Sequence, residues 1–161
     1  MGDAAANPLE FSQRWRVRTY EVDENGHVNN AVYLNWVEHI AAEHAEALGF
    51  GREWSIAHGG GWVVRRHDIV YRRPARRGDD VDVTVRVLAV GGVRGTRQTW
   101  IRRAGDGILL AEAVSDWAWV RLRDGRPVAV PKEIVGAYRG ILGETEGGAP
   151  VQPPASRTPK S

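Results

Sequence analysis

A dense polar run in the first third of the chain holds the residues best suited to chemistry. Residues 23–30 read Asp-Glu-Asn-Gly-His-Val-Asn-Asn. Asp23 and His27 could both transfer protons, and Gly26 between them permits an unusual backbone turn. If a helix begins directly after the run, the unpaired N–H groups of its first turn face the same spot. A carboxylate beside such groups could attack a carbonyl while the N–H groups hold the developing oxyanion.

The helix that would position this run is predicted from Ala31 to Leu48. Apolar residues recur there at three- and four-residue spacing, and polar residues occupy the opposite face. The apolar face comprises Tyr33, Leu34, Val37, Ile40, Ala41, Ala45 and Leu48. Asn29 or Asn30 supplies an N-cap, and Gly49 suits the position after the C-cap. Two interpretations of the polar run stay open, because Asp, Asn and Gly are also the ordinary residues of a capping loop.

Strands account for most of the remaining sequence. They are predicted at residues 13–20, 61–73, 81–87, 94–103 and 108–122, and a short helix follows Pro131 at Lys132–Leu142. Tight glycine turns join the later strands, which requires antiparallel neighbours. One amphipathic helix must bury its apolar face, and the sheet is its available partner. The predicted fold is therefore α+β, a curved antiparallel β-sheet wrapped around one long central helix.

Length and composition predict a single domain. The chain has 161 residues, and four of its eight prolines fall in the last nineteen. We expect a folded domain over residues 11–142 and a disordered C-terminal tail over 143–161. The chain has no cysteine, which excludes disulfides, thiolate metal sites and a cysteine nucleophile.

Charge and hydropathy limit the classes of partner. The formal net charge is +2, too small an excess to indicate nucleic-acid binding. No apolar run approaches the roughly 20 residues of a membrane span, and the N-terminus lacks the pattern of a secretory signal. The expectation is a cytoplasmic protein without a membrane span.

Three segments resemble one enzyme family. Tyr20–Glu38, YEVDENGHVNNAVYLNWVE, resembles the active-site segment of hotdog-fold thioesterases of the 4-hydroxybenzoyl-CoA thioesterase family, and resembles the plant acyl-ACP thioesterases still more closely. Asp68–Val83, DIVYRRPARRGDDVDV, resembles the family's Tyr-x-Arg-Pro-x-x-x-Gly-Asp strand and turn. A third segment runs from Gly107 to Pro131. The resemblance implies a hotdog fold, hydrolysis of an acyl-CoA or acyl-carrier-protein thioester, no metal or organic cofactor, and a homodimer or homotetramer with its site between subunits.

The resemblance also assigns roles to residues. Asp23 falls on the family's catalytic aspartate, and Asn25 and His27 fall on the polar pair of the plant branch. The backbone N–H near Asn30 falls where the thioester carbonyl is polarised. Candidate substrate-binding residues are Tyr33, Glu38, Arg73 and Arg76, although a structural hydrogen bond would explain Glu38 equally well. The plant enzymes carry a further glutamate after the Tyr-Arg-Arg segment, which this chain lacks, and this departure favours a site that depends on one aspartate.

Arginines are the basic residues of this chain. Of the 22 basic residues, only Lys132 and Lys160 are lysines and the rest are arginines. Six of the arginines lie within residues 65–77. Guanidinium groups there could bind the phosphates of CoA or of a carrier protein's phosphopantetheine. Charges that keep a sheet edge from aggregating are an equally good interpretation.

Two other functions fit the resemblance less well. A hotdog enoyl-CoA hydratase or dehydratase typically carries Asp-x-Asn-Pro-x-His, which is one residue longer than the run from Asp23 to His27 and contains a proline that is absent here. A non-catalytic acyl-CoA-binding protein on the same fold is the second alternative, and the intact Asp23 argues against it. The sequence leaves the acyl chain, and the choice between CoA and carrier protein, open.

Overall fold

The computed structural model describes residues 7–142, and within them one antiparallel sheet carries three helices. The strands are β1 (Glu10–Arg16), β2 (Gly60–Tyr71), β3 (Asp80–Gly91), β4 (Arg94–Arg103) and β5 (Leu109–Arg121). The helices are α1 (Asn30–Ala47), α2 (Arg52–Ala57) and α3 (Lys132–Leu142), and a 3-10 turn spans Thr19–Glu21. The sheet order is β1-β3-β4-β5-β2, so β1 and β2 form its two edges. The tail predicted for residues 143–161 lies outside the described residues.

Helix α1 forms where the apolar period predicts it. The side-chain oxygen of Asn29 accepts a hydrogen bond from the Ala31 N–H at 3.0 Å, so Asn29 is the N-cap. The helix ends before Gly49, whose φ of 81° is easy for glycine and costly for other residues. Its buried face comprises Tyr33, Trp36, Val37, Ile40, Ala41 and His44. Leu34 is only half-buried, so the face is turned slightly from the predicted one.

The buried face of α1 packs on one side of the sheet. In β3, Val81, Val83, Val85 and Val87 alternate with more exposed residues and are at most 3% exposed. Val81, Val83 and Val85 form one apolar cluster with the helix, with Ile101 of β4 and with residues of β5, whereas Val87 packs at the far end of the sheet. The helix therefore lies across the sheet as a single-helix α+β fold requires.

A second apolar cluster closes the far end of the sheet. Trp119 is its largest fully buried member, and residues from α2 and α3 pack around it. Leu9 is 8% exposed in this cluster, so packing begins slightly before residue 11. The first strand is likewise shifted to Glu10–Arg16, because the chain leaves the sheet for the 3-10 turn before Tyr20.

Helix α2 is the element that the sequence did not predict. It has six residues, which is too short to establish a helical period. It packs beside the first residues of β2, where Trp54 lies with its ring centroid 6.3 Å from that of Trp119. Tertiary packing, rather than an amphipathic pattern, holds this turn in place.

Two neighbouring glycines at the start of β2 provide a matched test of this packing. A Cβ at Gly60 would lie 2.5 Å from Cε2 of Trp119, whereas a Cβ at Gly61 would meet Cδ2 of Leu122 at 3.4 Å. We expect Gly60→Ala to lower the free energy of unfolding by about 1–3 kcal/mol, because the ring is held in a packed cluster. Gly61→Ala should change it by less than about 0.5 kcal/mol. Urea denaturation measures both values, and equal losses in the two variants would contradict the interpretation.

Candidate active site

The polar run folds into a tight loop organised by its own aspartate. Asp23 Oδ1 accepts hydrogen bonds from the N–H of Asn25 at 2.9 Å and from the N–H of His27 at 3.1 Å. Between them Gly26 has a φ of 74°, which glycine adopts without strain. The Oδ2 atom of Asp23 receives no hydrogen bond within residues 7–142, and the side chain is exposed. The loop thus fixes one carboxylate oxygen and presents the other to solvent.

The loop leads directly into the first turn of α1. Asn29 donates its N–H to the backbone oxygen of Glu21 at 2.9 Å, which ties the start of the helix to the chain before the loop. Asn30 is the first residue of α1, and its N–H finds no acceptor in the described part of the chain. Its backbone oxygen accepts from the Tyr71 hydroxyl at 3.0 Å, so the end of β2 lies against the helix start. An open N–H at a helix N-terminus is suited to hold a developing negative charge.

A buried carboxylate supports the same corner. Glu21 is 6% exposed. It accepts hydrogen bonds from the N–H of Arg18 at 2.8 Å and from Nε1 of Trp36 at 3.1 Å. These bonds hold the chain before the loop to the middle of α1. Sequence reasoning missed Glu21, because nothing in the local pattern distinguishes it from a surface glutamate.

The second resembling segment docks onto the loop. Val28 donates its N–H to the backbone oxygen of Ala75 at 2.8 Å, and the Arg77 N–H reaches the backbone oxygen of Gly26 at 3.3 Å. The Tyr33 hydroxyl accepts from the Ala75 N–H at 3.0 Å. Tyr33 is 2% exposed in this structure, so it supports the turn from within the core. Two motifs far apart in sequence therefore meet in one place.

The predicted arginines divide into paired and unpaired groups. Arg72 forms an ion pair with Glu112, and Arg66 lies 3.5 Å from Asp68. Arg73 and Arg76 are exposed, and neither forms an ion pair with a described side chain. The backbone of Arg76 is bridged to His27, which brings this residue to the loop. The geometry leaves Arg73 and Arg76 free to bind an anion beside the candidate site.

Glu38 lies two turns along α1 from Asn30 and is held by a histidine. Nε2 of His67 lies 3.2 Å from Glu38 Oε1, and Nδ1 of His67 lies 2.7 Å from the Ser115 hydroxyl. Eight residues of helix separate Asn30 from Glu38, or about 12 Å along the axis. The structure thus separates Glu38 from the Asp23 loop and places it at a different opening.

That opening leads into a cavity between α1, α2 and the sheet, with a volume of about 340 Å³. Its apolar walls include Ala41, Ala42, Ala45, Phe50, Trp62 and Trp117. The small alanines leave space between the helix and the sheet that larger side chains would fill. The cavity is of a size to take an organic group rather than water alone.

Four charged side chains also line this cavity, and Arg97 is the least exposed of them. Arg97 of β4 donates a hydrogen bond from its guanidinium to Nδ1 of His44 at 2.9 Å, and Nε2 of His44 meets the backbone oxygen of Pro8 at 2.8 Å. Burial and the Arg97 charge lower the pKa of His44 from 6.5 to about 4. His44 is 1% exposed and is neutral at pH 7. Burial also lowers the pKa of Arg97 from its ordinary value.

Sequence reasoning placed neither Arg97 nor His67 in a site, although the strand period contained the signal. Arg97 lies opposite Val87 in β3 and Ser115 in β5, and Ser115 lies opposite His67 in β2. Because alternate residues share one face of a sheet, these polar side chains face α1 like the core valines. Register, which tight turns alone did not fix, decides this placement.

Within the described residues, no group of three or more histidine, aspartate and glutamate side chains is arranged to hold a metal ion. None of the helices in that part of the chain combines the length and the hydrophobicity that crossing a bilayer requires. The expected cytoplasmic location stays a prediction.

Comparison with known proteins identifies the family. Residues 17–138 match the thioesterase-like superfamily. The long-chain acyl-CoA thioesterase FadM of Escherichia coli (strain K12) is 29% identical over 122 residues, which cover 74% of this chain and 89% of FadM. The chloroplastic acyl-acyl carrier protein thioesterase ATL3 of Arabidopsis thaliana is 29% identical over 119 residues, which cover 74% of this chain and 62% of that relative.

A solved structure shows the same fold. Slr0204 from Synechocystis, a 1,4-dihydroxy-2-naphthoyl-CoA thioesterase, has a TM-score of 0.73 at 19% identity and covers 80% of this chain and 94% of its own. The architecture is the hotdog fold, as the sequence predicts. The chain belongs to the thioesterase-like superfamily, and the family resemblance is confirmed. Thioester hydrolysis is the activity that this membership supports at the family level.

The buried histidine makes a prediction about pH. The pKa of His44 is lowered to about 4 in the folded chain. Between about pH 6.5 and pH 4, the unfolded chain therefore binds a proton at this residue that the folded chain does not bind. The contribution of neutral His44 to the free energy of unfolding is therefore fully present above about pH 6.5. It falls as the pH drops, by at most about 1.4 kcal/mol per pH unit. Urea denaturation at pH 7, 6 and 5 measures this slope.

A matched pair of variants on α1 isolates the contribution of His44. His44→Gln should reduce the pH slope, whereas His39→Gln, which removes an exposed histidine of the same helix, should leave it unchanged. If the free energy of unfolding of His44→Gln has the same pH dependence as that of the unsubstituted protein, His44 is not the group responsible for the slope.

Proposed function

We propose that the protein hydrolyses an acyl thioester of CoA or of an acyl-carrier protein, releasing a carboxylic acid and a thiol. The observation that carries this proposal is the Asp23 carboxylate. Two backbone N–H groups fix one of its oxygens, and the other oxygen accepts no hydrogen bond from the described residues. Asn30, whose N–H has no acceptor among those residues, is the first residue of the helix that follows the loop. Family membership supports the same class of reaction.

The proposed chemistry divides between the carboxylate and the helix. The thioester carbonyl oxygen accepts a hydrogen bond from the Asn30 N–H, which stabilises the negative charge of the tetrahedral intermediate. Asp23 either attacks the carbonyl carbon or deprotonates the water that does so. Collapse of the intermediate breaks the C–S bond and expels the thiolate, which takes up a proton. Where Asp23 is the nucleophile, collapse leaves a mixed anhydride, and water then hydrolyses it to release the acid and regenerate the carboxylate. The side chains of Asn25 and His27 lie on the same loop and are proposed to position the substrate or the water.

Cationic side chains beside the loop fit the rest of such a substrate. Arg73 and Arg76 are exposed and have no carboxylate partner among the described residues. Both CoA and a phosphopantetheine arm carry phosphate, which guanidinium groups bind well. We assign these two arginines to the phosphates. Tyr33 and Glu38 remain candidate substrate-binding residues. Tyr33 would act indirectly, by supporting the turn at Ala75, and Glu38 would act from the wall of the cavity.

The proposed site also requires a second copy of the chain. Strand β2 has twelve residues at a sheet edge and exposes Val63, Val70 and Tyr71, each by at least 38%. Long edges with exposed apolar side chains favour pairing with another strand. Antiparallel pairing of two β2 strands around a twofold axis would join two sheets into one. The opposite edge, β1, has only seven residues and is lined by arginine–aspartate ion pairs with β3.

Such pairing would bring the loop of one protomer to the cavity of the other. The loop contacts the last residue of β2 through Tyr71, whereas the cavity lies at the first residues, Gly60 to Trp62. These ends of β2 are about 30 Å apart in one protomer. In an antiparallel pair, the first residues of one strand lie beside the last residues of the other. The acyl group is therefore proposed to enter the partner's cavity while its thioester lies against Asp23.

Substitution of Asp23 tests the proposed chemistry. We expect Asp23→Asn to lower kcat for the best substrate of an aliphatic and aromatic acyl-CoA panel by at least about 100-fold, because the amide can neither attack nor accept a proton. The amide oxygen can still accept both loop N–H groups, so the fold should persist. Thiol release measures the rate. The matched control is Glu24→Gln, whose exposed side chain is the next in the loop.

The same assays distinguish the alternatives. Full activity of folded Asp23→Asn would exclude the proposed mechanism. Loss of the conjugated absorbance of an enoyl-CoA without thiol release would indicate a hydratase. Acyl-CoA binding without any turnover would indicate a binding protein.

Mixed dimers test whether the site is shared between protomers. Ala42→Trp should block the cavity from an exposed helix position, and Asp23→Asn should disable the loop. Each variant alone should be inactive. After subunit exchange, a mixed dimer holds one intact loop beside one intact cavity, so activity should return. Light scattering should give twice the 17.8 kDa chain mass. A monomer, or mixing without recovery, would show that no site is shared.

A further inference from the structure

Arg97 introduces a cation into a cavity that is otherwise suited to a hydrocarbon. Four charged residues line the cavity, and three of them, Glu38, Arg52 and Glu46, are exposed at its rim. Arg97 is the only one of the four that is half-buried rather than exposed. No carboxylate contributes to its surroundings among the described side chains, where its polar neighbours are His44 and Tyr138. Partial burial of a cation without a counter-charge is costly, and a pocket for a plain hydrocarbon chain has no reason to keep such a residue.

The surroundings of Arg97 hold it in place and leave donors free. One guanidinium N–H donates to His44 Nδ1, and the Tyr138 hydroxyl lies close to the same group. A guanidinium has five N–H donors, so the two neighbours cannot use them all. His44 is itself fixed by Pro8 and stacks against Phe11, with ring centroids 5.6 Å apart. The guanidinium is therefore pre-positioned, and its remaining donors match the two oxygens of a carboxylate.

The facing strand adds a second unsatisfied donor. Nε1 of Trp117 is buried and has no hydrogen-bond partner within the described residues. Trp117 lies two residues beyond Ser115, the cross-strand partner of Arg97, so it occupies the diagonal position on the same sheet face. Both residues line the cavity. The wall thus offers two hydrogen-bond donors on the sheet side, the guanidinium of Arg97 and the indole of Trp117.

We propose that this cavity selects acyl groups that carry a second carboxylate, which binds Arg97 at the sheet side of the cavity while the thioester lies at the Asp23 loop of the other protomer. The inference rests on the proposed function and narrows it to thioesters of dicarboxylic acids. The carboxylate supplies the counter-charge that Arg97 lacks, and the alanines of α1 provide room for the carbon chain. Arg97 is a specificity-determining residue and takes no part in the bond-breaking step.

Matched pairs of substrates test the proposal. Adipoyl-CoA is compared with hexanoyl-CoA, suberoyl-CoA with octanoyl-CoA, and 4-carboxybenzoyl-CoA with benzoyl-CoA. In the unsubstituted protein, kcat/KM should favour the carboxylated member of at least one pair by about ten- to a hundredfold, as expected for a charge-assisted pair of hydrogen bonds. Arg97→Met, which keeps the length of the side chain, should abolish or reverse that preference. Arg97→Lys should restore part of it.

A binding measurement separates failure of this inference from failure of the proposed function. Calorimetry with free adipate and suberate requires no turnover, and binding should be lost in Arg97→Met but kept in Arg94→Met, an exposed arginine of the same strand. Thioester hydrolysis without preference for the carboxylated members would overturn the inference and leave the function intact. Diacid binding through Arg97 with no thioester hydrolysis would overturn the function and leave the cavity assignment. If Arg97→Met does not fold, the substrate pairs with the unsubstituted protein decide alone.

Discussion

The burial of one face of α1 against the sheet is the constraint on which the rest of the structure depends. The helix is the only long one in the described chain, and its inner side chains contact strands from both halves of the sheet. Because that face must stay dry, the position and rotation of the helix are fixed by packing. The functional residues that the helix carries are then fixed in position as well. Asn30 is held at one end beside the loop, and the three cavity alanines are held further along.

The same constraint bears on the proposal that the site is shared between protomers. A helix that spans the sheet separates its N-terminus from its cavity-lining turns, which begin about 12 Å along the axis at Glu38. The polar loop is docked to the turn at Ala75 by backbone hydrogen bonds, away from the cavity of its own protomer. In the proposed dimer, a twofold axis would bring the loop of each protomer to the cavity of the other without any additional element.

The sequence predicted those features whose signals are local. The period of α1, the capping by Asn29 and the span of α3 all depend on residues a few positions apart, and the structure confirms them. The loop was found through residue types and through resemblance. Glu21, Arg97 and His67 were missed because their roles depend on partners far away in the chain. The alternation within β4 indicates the face on which Arg97 lies, but only the pairing register places it beside Val87 and Ser115, and only packing shows that Glu21 is buried.

Arginine is abundant in this chain, and its placement separates ordinary positions from informative ones. Arg14, Arg16 and Arg121 lie at the surface in ion pairs with aspartates, where they contribute little and cost little. Arg97 differs because its environment penalises the charge. A leucine or methionine there would fill the same wall without that penalty and would suit a hydrocarbon better. The arrangement of Arg97, His44 and the fixed Pro8 oxygen is consistent with a cavity whose occupant brings its own negative charge.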